Sequence, residues 1–345
     1  MHHRIATAAV LLLACLIGAG CSRQVKFTEQ RFQMATVVEL QVLAPPSREQ
    51  AVRAAMSDAF AAMAKVEKTL SWFDKESEVA RLRRAKPGEI VPVSQWTMEC
   101  LTITRELNRA TGGMYDVAAG RIIHLWGFGP GRTNVVPSDE AVADALRSSG
   151  MDKVCLLPDQ GAVSVAVAGV EIDLSSIAAG FAVDRAAEAL LDRGWTNFLV
   201  NGGGELRMSS TGGKTWQIGI QAPDESATPD KHLSGRIIKL KNGAVSTSGS
   251  YRNYYKAGTN TFIHIVNPKT GRPMQTPVVS VTVWAGDCTT ADAWSTALFT
   301  LPVGQALKLT EETAGIECLI VERPAPGEKD FRFHYSKDFR KNTGM

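Results

Sequence analysis

The hydrophobic residues of this chain recur every three or four positions in several long stretches. One stretch begins at Val52 and continues to Val66, which places apolar side chains along one side of a helix. Similar spacing recurs further along the chain. The predicted helices cover residues 48–70, about 95–110, the segment from 175 to about 194, 290–300 and 304–313.

Short runs of β-branched and aromatic residues predict strands between these helices. Two of the strands, 235–240 and 244–248, flank Lys241-Asn242-Gly243, which is typical of a β-hairpin turn. The strands come mostly in antiparallel-looking runs with helices between them. This order predicts an α+β sandwich, one compact unit with a subdomain, rather than a doubly wound sheet. The other predicted strands cover residues 34–43, 169–175, 198–201, 216–221, 278–285, near 317–322 and near 330–335.

The N-terminal residues have the composition of an export signal. A short basic region is followed by an apolar stretch that is too short to span a membrane. Small residues just before Cys21 resemble the lipobox of bacterial lipoproteins, which predicts removal of residues 1–20 and lipidation of Cys21. Cys15 ends a rival lipobox that would leave an unusually short signal. An ordinary secreted protein is the remaining alternative.

Residues 21–33 are polar and are predicted to form the tether of the lipid anchor. The folded domain is then expected to cover residues 34–345. These features predict a protein at the periplasmic face of a bacterial membrane, anchored through the lipid on Cys21.

Composition excludes several classes of protein. The chain has 345 residues, 44% of them hydrophobic and 21% charged, which excludes a disordered chain. Its 38 basic and 35 acidic residues give a net charge of +3, without the basic stripe expected of a nucleic-acid binder. None of its 6 cysteines forms a Cys-x-x-Cys pair, so we expect mostly buried thiols.

Two polar clusters are candidates for binding an anion and a metal. Asp173 comes at the end of a predicted strand and just before a helix, whose N-terminal amides attract anions such as phosphate. Asp292 and Thr296 are four residues apart on a predicted helix, so they share a face and offer the oxygen ligands that suit Mg²⁺. Without other information, an N-cap cluster is the simpler explanation for Asp173, and an ordinary helix surface is the simpler one for Asp292 and Thr296.

Other segments combine glycine with aromatic or polar residues. In the Gly112 and Trp126 segments, flexible glycines beside aromatics allow a backbone to approach a flat ligand closely, although a turn with a packed Trp is the simpler explanation. Ser246–Gly249 could supply a nucleophile or a phosphate cradle, although a solvated strand end is the simpler explanation. A structural role is equally open for His264. The segments are Gly112–Asp116, Trp126–Gly129, Asn201–Glu205, Ser246–Gly249 and His264–Gly271.

Taken together and in this order, the segments resemble the FAD:protein FMN transferase family, the ApbE-type flavin transferases. The similarity spans about residues 34–321, and it depends on eight motifs rather than on any single one. The motifs are Met34-x-Thr36, Tyr115-Asp116-Val117, Leu125–Gly129, Asp173–Asp184, Asn201–Glu205, Val245–Gly249, His264–Gly271 and Ala291–Ala297.

The resemblance implies a T-fold-like architecture with FAD in a cleft and Mg²⁺ on its pyrophosphate. It also implies transfer of FMN through a phosphoester to a Thr or Ser of a target protein, with release of AMP. The expected targets are membrane redox subunits or flavodomains. Members of the family are often lipoproteins, in agreement with Cys21.

The resemblance also implies roles for particular residues. Metal ligands would be the side chains of Asp292 and Thr296 and a backbone carbonyl near Ser176. The general base would be His264, beside the pyrophosphate, or Asp173. Ala179 occupies a position where members usually carry Lys or Glu, near the bound dinucleotide. The expected FAD-binding residues are Met34, an aromatic at Trp72 or Phe73, Met114, Tyr115, Asp116, Asp173, Ala179, Gly203 and His264.

Three alternative functions remain at this stage. An FAD pyrophosphatase would keep the same fold and metal but would transfer FMN to water. A non-catalytic FAD-binding lipoprotein would have no need of the metal ligands. An ordinary flavin oxidoreductase would retain FAD as a cofactor, whereas FAD is the substrate of a transferase.

Overall fold

An eight-stranded antiparallel sheet organises the fold in a computed structural model of the chain. The structure describes residues 23–129, 134–223, 232–251, 253–325, 328 and 330–345. The predicted signal segment, residues 1–20, and the predicted lipidation site, Cys21, lie outside these residues. No helix within the described ranges combines the length and the apolar character needed to cross a membrane.

The strands are numbered in chain order. They are β1 (Val25–Gln33), β2 (Thr36–Ala44), β3 (Val91–Pro92), β4 (Val154–Leu157), β5 (Ala162–Val165), β6 (Phe198–Asn201), β7 (Leu206–Ser209), β8 (Trp216–Gln221), β9 (His232–Leu240), β10 (Gly243–Gly249), β11 (Tyr254–Ala257), β12 (Asn260–Ile263), β13 (Val266–Asn267), β14 (Arg272–Pro273), β15 (Val278–Ala285), β16 (Ile316–Glu322) and β17 (Arg332–Tyr335).

The helices follow the same convention. They are α1 (Glu49–Leu70), α2 (Glu78–Arg84), α3 (Gln95–Ala110), α4 (Gly120–Leu125), α5 (Asp139–Arg147), α6 (Ser175–Asp192), α7 (Cys288–Phe299), α8 (Val303–Glu312) and α9 (Phe339–Thr343).

The strand order of the large sheet is β1-β2-β6-β7-β10-β15-β16-β17. Smaller sheets pair β3, β5 and β4, and separately β8 with β9, β11 with β12 and β13 with β14. Mixed helices and antiparallel sheets confirm the predicted α+β fold.

Helices α1, α6 and α7 bury the main hydrophobic core against this sheet. The apolar side of α1 is buried along its length, and Val52, Ala55 and Met56 are fully inaccessible to solvent. Phe60 lies on the same side, and burying a side chain of this size contributes about 2–3 kcal/mol. The helices predicted over 48–70 and about 95–110 are confirmed, and those at the C-terminal end differ only at their ends.

The prediction of a tether over residues 21–33 is wrong from Val25 onward. Residues 25–33 form β1, which pairs with β2 from Val25 opposite Ala44 to Gln33 opposite Thr36. β1 is one of the two edge strands of the sheet, and Phe27 is its only buried residue. Because an edge strand exposes most of its side chains, its polar composition resembles that of a linker.

The prediction of a hairpin across Lys241-Asn242-Gly243 is also wrong. β9 pairs with β8, whereas β10 lies between β7 and β15 in the large sheet. Gly243 has a φ of +119° and begins β10. The turn therefore connects two sheets, and the local turn residues do not reveal which partners the strands choose.

The segment 169–175 was predicted as a strand, but it forms only one β-bridge, between Glu171 and Ala119. Two further hydrogen bonds join this segment to residues 117–120. Gly120 N donates to Glu171 O at 3.0 Å, and Asp173 N donates to Val117 O at 2.7 Å. The alternating residues Val170, Ile172 and Leu174 are buried, which explains the strand-like pattern.

Candidate active site

A cavity of about 880 Å³ collects most of the residues singled out from the sequence. This volume lies towards the upper end of the roughly 300–1,000 Å³ that is usual for ligand sites. Its wall includes parts of the large sheet, the start of α6 and one side of α7. The predicted site residues that line it are Met114, Tyr115, Asp116, Asp173, Ser176, Gly203, His264, Asp292 and Thr296.

Asp292 is a buried carboxylate at this cavity, with 5% of its surface exposed. Its Oδ2 accepts a 2.8 Å hydrogen bond from the amide of Gly180, and no described residue bonds to its Oδ1. Burial, with repulsion from Glu205 and Asp184, holds the pKa of Asp292 well above its usual range. A cation beside this carboxylate would favour its ionised form.

The amide of Gly180 is the one that would normally bond to the carbonyl of Ser176 within the helix. Its hydrogen bond to Asp292 competes with that helical bond and turns the Ser176 carbonyl into a candidate oxygen ligand. The second predicted side-chain ligand, Thr296, lies one turn along α7 from Asp292, and its Oγ1 is 2.8 Å from Ser248 Oγ.

These three oxygen ligands fit Mg²⁺ better than a transition metal. Mg²⁺ is usually bound by one or two carboxylates together with water and substrate phosphates. Within the described part of the chain, no group of three or more His, Cys, Asp or Glu side chains could hold a metal on its own.

Asp173 lies beside the N-terminus of α6. Its Oδ1 accepts a 2.9 Å hydrogen bond from the amide of Ser175, the first residue of the helix. The predicted combination of a carboxylate and a helix N-terminus is therefore present, but the carboxylate itself occupies one of the helix amides. Asp173 also lines the cavity, with 8% of its surface exposed.

Tyr115 links the cavity wall to the start of the same helix. Its Oη and Ser176 Oγ are 2.8 Å apart. Burial raises the pKa of Tyr115, and the hydrogen bond with Ser176 opposes this shift. Tyr115 therefore stays a neutral phenol that positions the Ser176 turn.

Asp116 has mainly backbone partners. It accepts hydrogen bonds from the amides of Ala118 at 2.8 Å and Met151 at 3.0 Å, and from the side chain of Asn108 at 3.1 Å. Burial raises its pKa, and these bonds counteract the shift. Asp116 holds the loop that carries Tyr115 into the cavity wall.

The glycine loop after β6 forms another part of the wall. Asn201 Oδ1 accepts hydrogen bonds from the amides of Gly203 and Gly204, each at 3.0 Å. Gly203 has a φ of +95°, and a Cβ there would lie 2.5 Å from Thr36 Oγ1. Glycine is required at this position because the loop approaches β2 so closely.

His264 follows β12 and is half-buried at the cavity. Its amide and its Nδ1 are both 3.1 Å from the carbonyl oxygen of Asn253. Phe128, from one of the glycine-aromatic segments, packs edge-on against the imidazole with ring centroids 6.4 Å apart.

Four predicted FAD-binding residues are not among those that line the cavity. Met34 has a φ of +53° in the turn between β1 and β2, and its neighbour Thr36 reaches the cavity instead. Trp72 is buried, Phe73 is 69% exposed, and Ala179 is half-buried on α6. Their roles in FAD binding remain predictions.

Sequence reasoning also missed residues at the site. Glu205 lines the cavity close enough to raise the pKa of Asp292, although only its position in the glycine motif drew attention to it. His124 lies behind Asp173, with 4.0 Å between Nε2 and Asp173 Oδ2. It stands next to the Leu125–Gly129 motif, but no spacing rule connects it to Asp173.

The fold and the cavity together define the class of protein, and comparisons with known proteins agree. The ApbE family model matches residues 34–320. This chain belongs to the ApbE family, which confirms the resemblance seen in the sequence.

Several relatives of known name support this assignment. FAD:protein FMN transferase of Haemophilus influenzae is 36% identical over 249 residues, covering 70% of this chain and 71% of that protein. The enzyme of the same name from Vibrio cholerae is 33% identical over 273 residues, covering 78% of this chain and 80% of that protein.

Solved structures resemble the fold throughout. The flavin transferase ApbE of Vibrio cholerae has a TM-score of 0.78 at 29% identity and covers 92% of this chain and 98% of its own. The ApbE protein of Thermotoga maritima has a TM-score of 0.80 at 30% identity, with 92% of this chain and 99% of its own covered. The T-fold-like ApbE architecture expected from the sequence is confirmed.

Proposed function

We propose that this chain transfers the FMN part of FAD to a Thr or Ser hydroxyl of a target protein and releases AMP, with Mg²⁺ as the metal. The observation that carries this proposal is the buried Asp292 carboxylate. It lies in a cavity of about 880 Å³ beside Thr296, and the amide of Gly180 donates a 2.8 Å hydrogen bond to it.

The oxygen ligands suit a metal that binds together with a pyrophosphate. Asp292, Thr296 and the carbonyl of Ser176 would hold Mg²⁺ at the junction of α6 and α7. When bound, the ion would neutralise the pyrophosphate charge and favour departure of AMP. The three ligands leave coordination positions that the pyrophosphate oxygens can fill.

The remaining residues bind and orient the flavin nucleotide. Tyr115, the Gly203 loop and His264 all line the cavity, and His264 is the residue that we expect beside the pyrophosphate. The acceptor hydroxyl must lose a proton as its oxygen attacks the phosphorus of the FMN phosphate. Asp173 and His264 both reach the cavity, so each is a candidate for that base.

The Asp292 carboxylate is buried, and no described residue forms a hydrogen bond with its Oδ1. This favours a transferase over a passive FAD carrier, because a carrier has no need of a metal site. The same site could transfer FMN to water, and the product separates these two activities. A transferase produces AMP and a flavinylated protein, whereas a pyrophosphatase produces AMP and free FMN.

The test uses the purified full-length chain, FAD, Mg²⁺ and a flavodomain with a Thr or Ser acceptor, read by intact mass and in-gel flavin fluorescence. We expect a mass gain equal to FMN that disappears in Asp292→Ala. Asp287→Ala is the matched control, because Asp287 caps the same helix through Thr290 and is not among the residues that line the cavity. Equal flavinylation by the two variants would contradict the proposal.

We also propose that the protein is anchored by lipid at Cys21 on the periplasmic face of a bacterial membrane, where its targets would be membrane redox subunits. The signal-like N-terminus and the cysteine that follows it support this proposal. Metabolic labelling with a fatty acid should mark the chain and its Cys15→Ser variant but not Cys21→Ser. Labelling lost only in Cys15→Ser would move the anchor to Cys15.

A further inference from the structure

His124 lies between two carboxylates behind the cavity wall. Its Nδ1 is 3.0 Å from Glu171 Oε2, and its Nε2 is 4.0 Å from Asp173 Oδ2. Of these residues, only Asp173 lines the cavity. The imidazole therefore connects a cavity carboxylate to a second carboxylate outside the cavity.

Packing holds this imidazole in place. The Trp72 ring lies against it, with ring centroids 3.8 Å apart. On the side of the following loop, a Cβ added at Gly129 would lie 2.0 Å from His124 Cδ2, so the backbone there lies close against the ring. Trp72 is one of the two aromatic residues considered for the flavin site, and its aromatic partner among the described residues is His124.

The backbone fixes the spacing between the ring and the two carboxylates. His124 lies on the short helix α4, which begins at Gly120, and Gly120 N donates to Glu171 O at 3.0 Å. A Cβ on Gly120 would lie 2.7 Å from that oxygen, so only glycine allows this approach. The helix carrying His124 is thereby joined to the segment that carries Glu171 and Asp173.

The two ring nitrogens have different tasks in this arrangement. An ionised Glu171 can only accept a hydrogen bond, so the tautomer with its proton on Nδ1 suits this contact and leaves Nε2 able to accept a proton. Nε2 faces Asp173. A carboxylate on one nitrogen orients an imidazole and stabilises its protonated form, as in other sites where a histidine takes up a proton.

We propose that His124 is a positioning residue that receives, through Asp173, the proton released by the acceptor hydroxyl. This inference rests on the proposed transferase function. As the hydroxyl oxygen bonds to the phosphorus of the FMN phosphate, the bond between that phosphorus and AMP breaks. The hydroxyl proton moves to Asp173 and from there to His124 Nε2, while AMP leaves with the bonding electron pair.

The 4.0 Å separation is longer than a hydrogen bond. Hydrogen bonds that serve catalysis are often long in a free enzyme and shorten when substrate binds. Among the residues that the structure describes, the charged groups at the ring nitrogens are Glu171 on Nδ1 and Asp173 on Nε2. On the Trp72 side, the Arg83 guanidinium lies 4.5 Å from the centroid of the Trp72 ring.

The test compares FMN transfer by the His124→Asn variant with FMN transfer by the unsubstituted enzyme, both full-length, at saturating FAD and Mg²⁺. Asparagine keeps a donor for Glu171 but cannot accept a proton. We expect kcat to fall by at least about tenfold, since proton transfer by a positioned group contributes roughly 10²–10⁴-fold. KM for FAD should stay within about twofold, and the pH profile of kcat should lose one limb.

His334→Asn is the matched control. His334 forms the same kind of pair, with Nε2 2.8 Å from Glu322 Oε2, on the edge strand β17 and not among the residues that line the cavity. Its variant should keep the kcat and pH profile of the original enzyme. A kcat and pH profile for His124→Asn equal to those of His334→Asn would overturn the inference.

Glu171→Gln provides a second test that leaves the imidazole in place. It should lower kcat and alter the same limb of the pH profile while FAD binding, followed by flavin fluorescence, stays unchanged. If the original enzyme releases AMP and free FMN without modifying the acceptor, the transferase proposal fails. The proton relay from Asp173 to His124 can then still be tested, because water takes the place of the acceptor hydroxyl. Unchanged kcat in both variants would then overturn the relay. An original enzyme that does not cleave FAD would overturn both proposals.

Discussion

The backbone amide of Gly180 donates a 2.8 Å hydrogen bond to the carboxylate of Asp292 across the contact between α6 and α7. The two helices approach so closely that a Cβ at Gly180 would lie 2.3 Å from the carbonyl oxygen of Cys288 and 2.6 Å from Asp292 Cβ. Helix packing and the orientation of the proposed metal ligand are therefore set by the same contact.

Gly180→Ala should separate the two helices, because a backbone oxygen cannot move aside as a flexible side chain can. We expect a loss of about 1–3 kcal/mol in the free energy of unfolding, together with weaker Mg²⁺ binding. Gly304→Ala on α8 is the control, since nothing lies within 4 Å of its Cβ position. Denaturant unfolding and Mn²⁺ titration measure the two effects, and equal behaviour of the two variants would rule out the tight contact.

Gly203→Ala should combine backbone strain with a collision against Thr36. Gly213→Ala provides the strain alone, because Gly213 has a φ of +81° and nothing lies within 4 Å of its Cβ position. Gly213→Ala should lose about 1–2 kcal/mol of stability through strain, Gly203→Ala should lose more, and only Gly203→Ala should weaken FAD binding by displacing the loop. Fluorescence titration measures the affinity of each variant for FAD. An unchanged affinity in Gly203→Ala would exclude this loop from the binding site.

Asp116 provides a pH prediction. Burial raises the pKa of its carboxyl group above the unfolded value, so the folded chain binds the proton more tightly than the unfolded chain. The contribution of this group to stability is therefore greatest at pH below the unfolded pKa. It falls as pH rises through the folded pKa.

The measurement is the free energy of unfolding of the original protein and of Asp116→Asn between pH 3 and 7. The variant should be less stable, because asparagine cannot accept all the bonds from Ala118, Met151 and Asn108, and its stability should fall less as pH rises. A carboxyl carbon titration by NMR that places the pKa of Asp116 below the usual value for aspartate would show that these bonds outweigh burial.

The cysteines should differ sharply in reactivity. Cys155 is exposed, whereas Cys100, Cys288 and Cys318 are buried and all four are free thiols. Burial raises the pKa of Cys318 to about 11, so its reactive thiolate is scarce at neutral pH.

A chain carrying Cys15→Ser and Cys21→Ser removes the two N-terminal thiols from this experiment. A thiol reagent at pH 8 should modify one cysteine in the folded chain, Cys155, and all four after denaturation. Rapid modification of a second cysteine in the folded state would show that one of the buried positions opens to solvent.

Local patterns predicted the parts of the fold that depend on local physics. The apolar side of α1 and the pairing of Asp292 with Thr296 on one face of α7 follow from helical spacing alone. The family motifs also predicted that distant residues such as Tyr115 and Gly203 lie at one site, and both line the same cavity.

The remaining features depend on contacts between distant parts of the chain. β1 is polar because it lies at a sheet edge, and β10 pairs with strands other than its neighbour in sequence. His124 and Glu171 are 47 positions apart and meet only through the bridge beside Gly120. Neither the spacing of hydrophobic residues nor the turn residues indicate which distant segments pair.

The central claim is that cleavage of FAD is coupled to modification of a protein hydroxyl. The most direct test quantifies AMP and flavinylated acceptor in the same reaction over time, by chromatography and intact mass. We predict one AMP for each FMN attached to the acceptor. AMP accompanied by free FMN and an unmodified acceptor would contradict the claim and identify a pyrophosphatase, and bound FAD without AMP would identify a carrier.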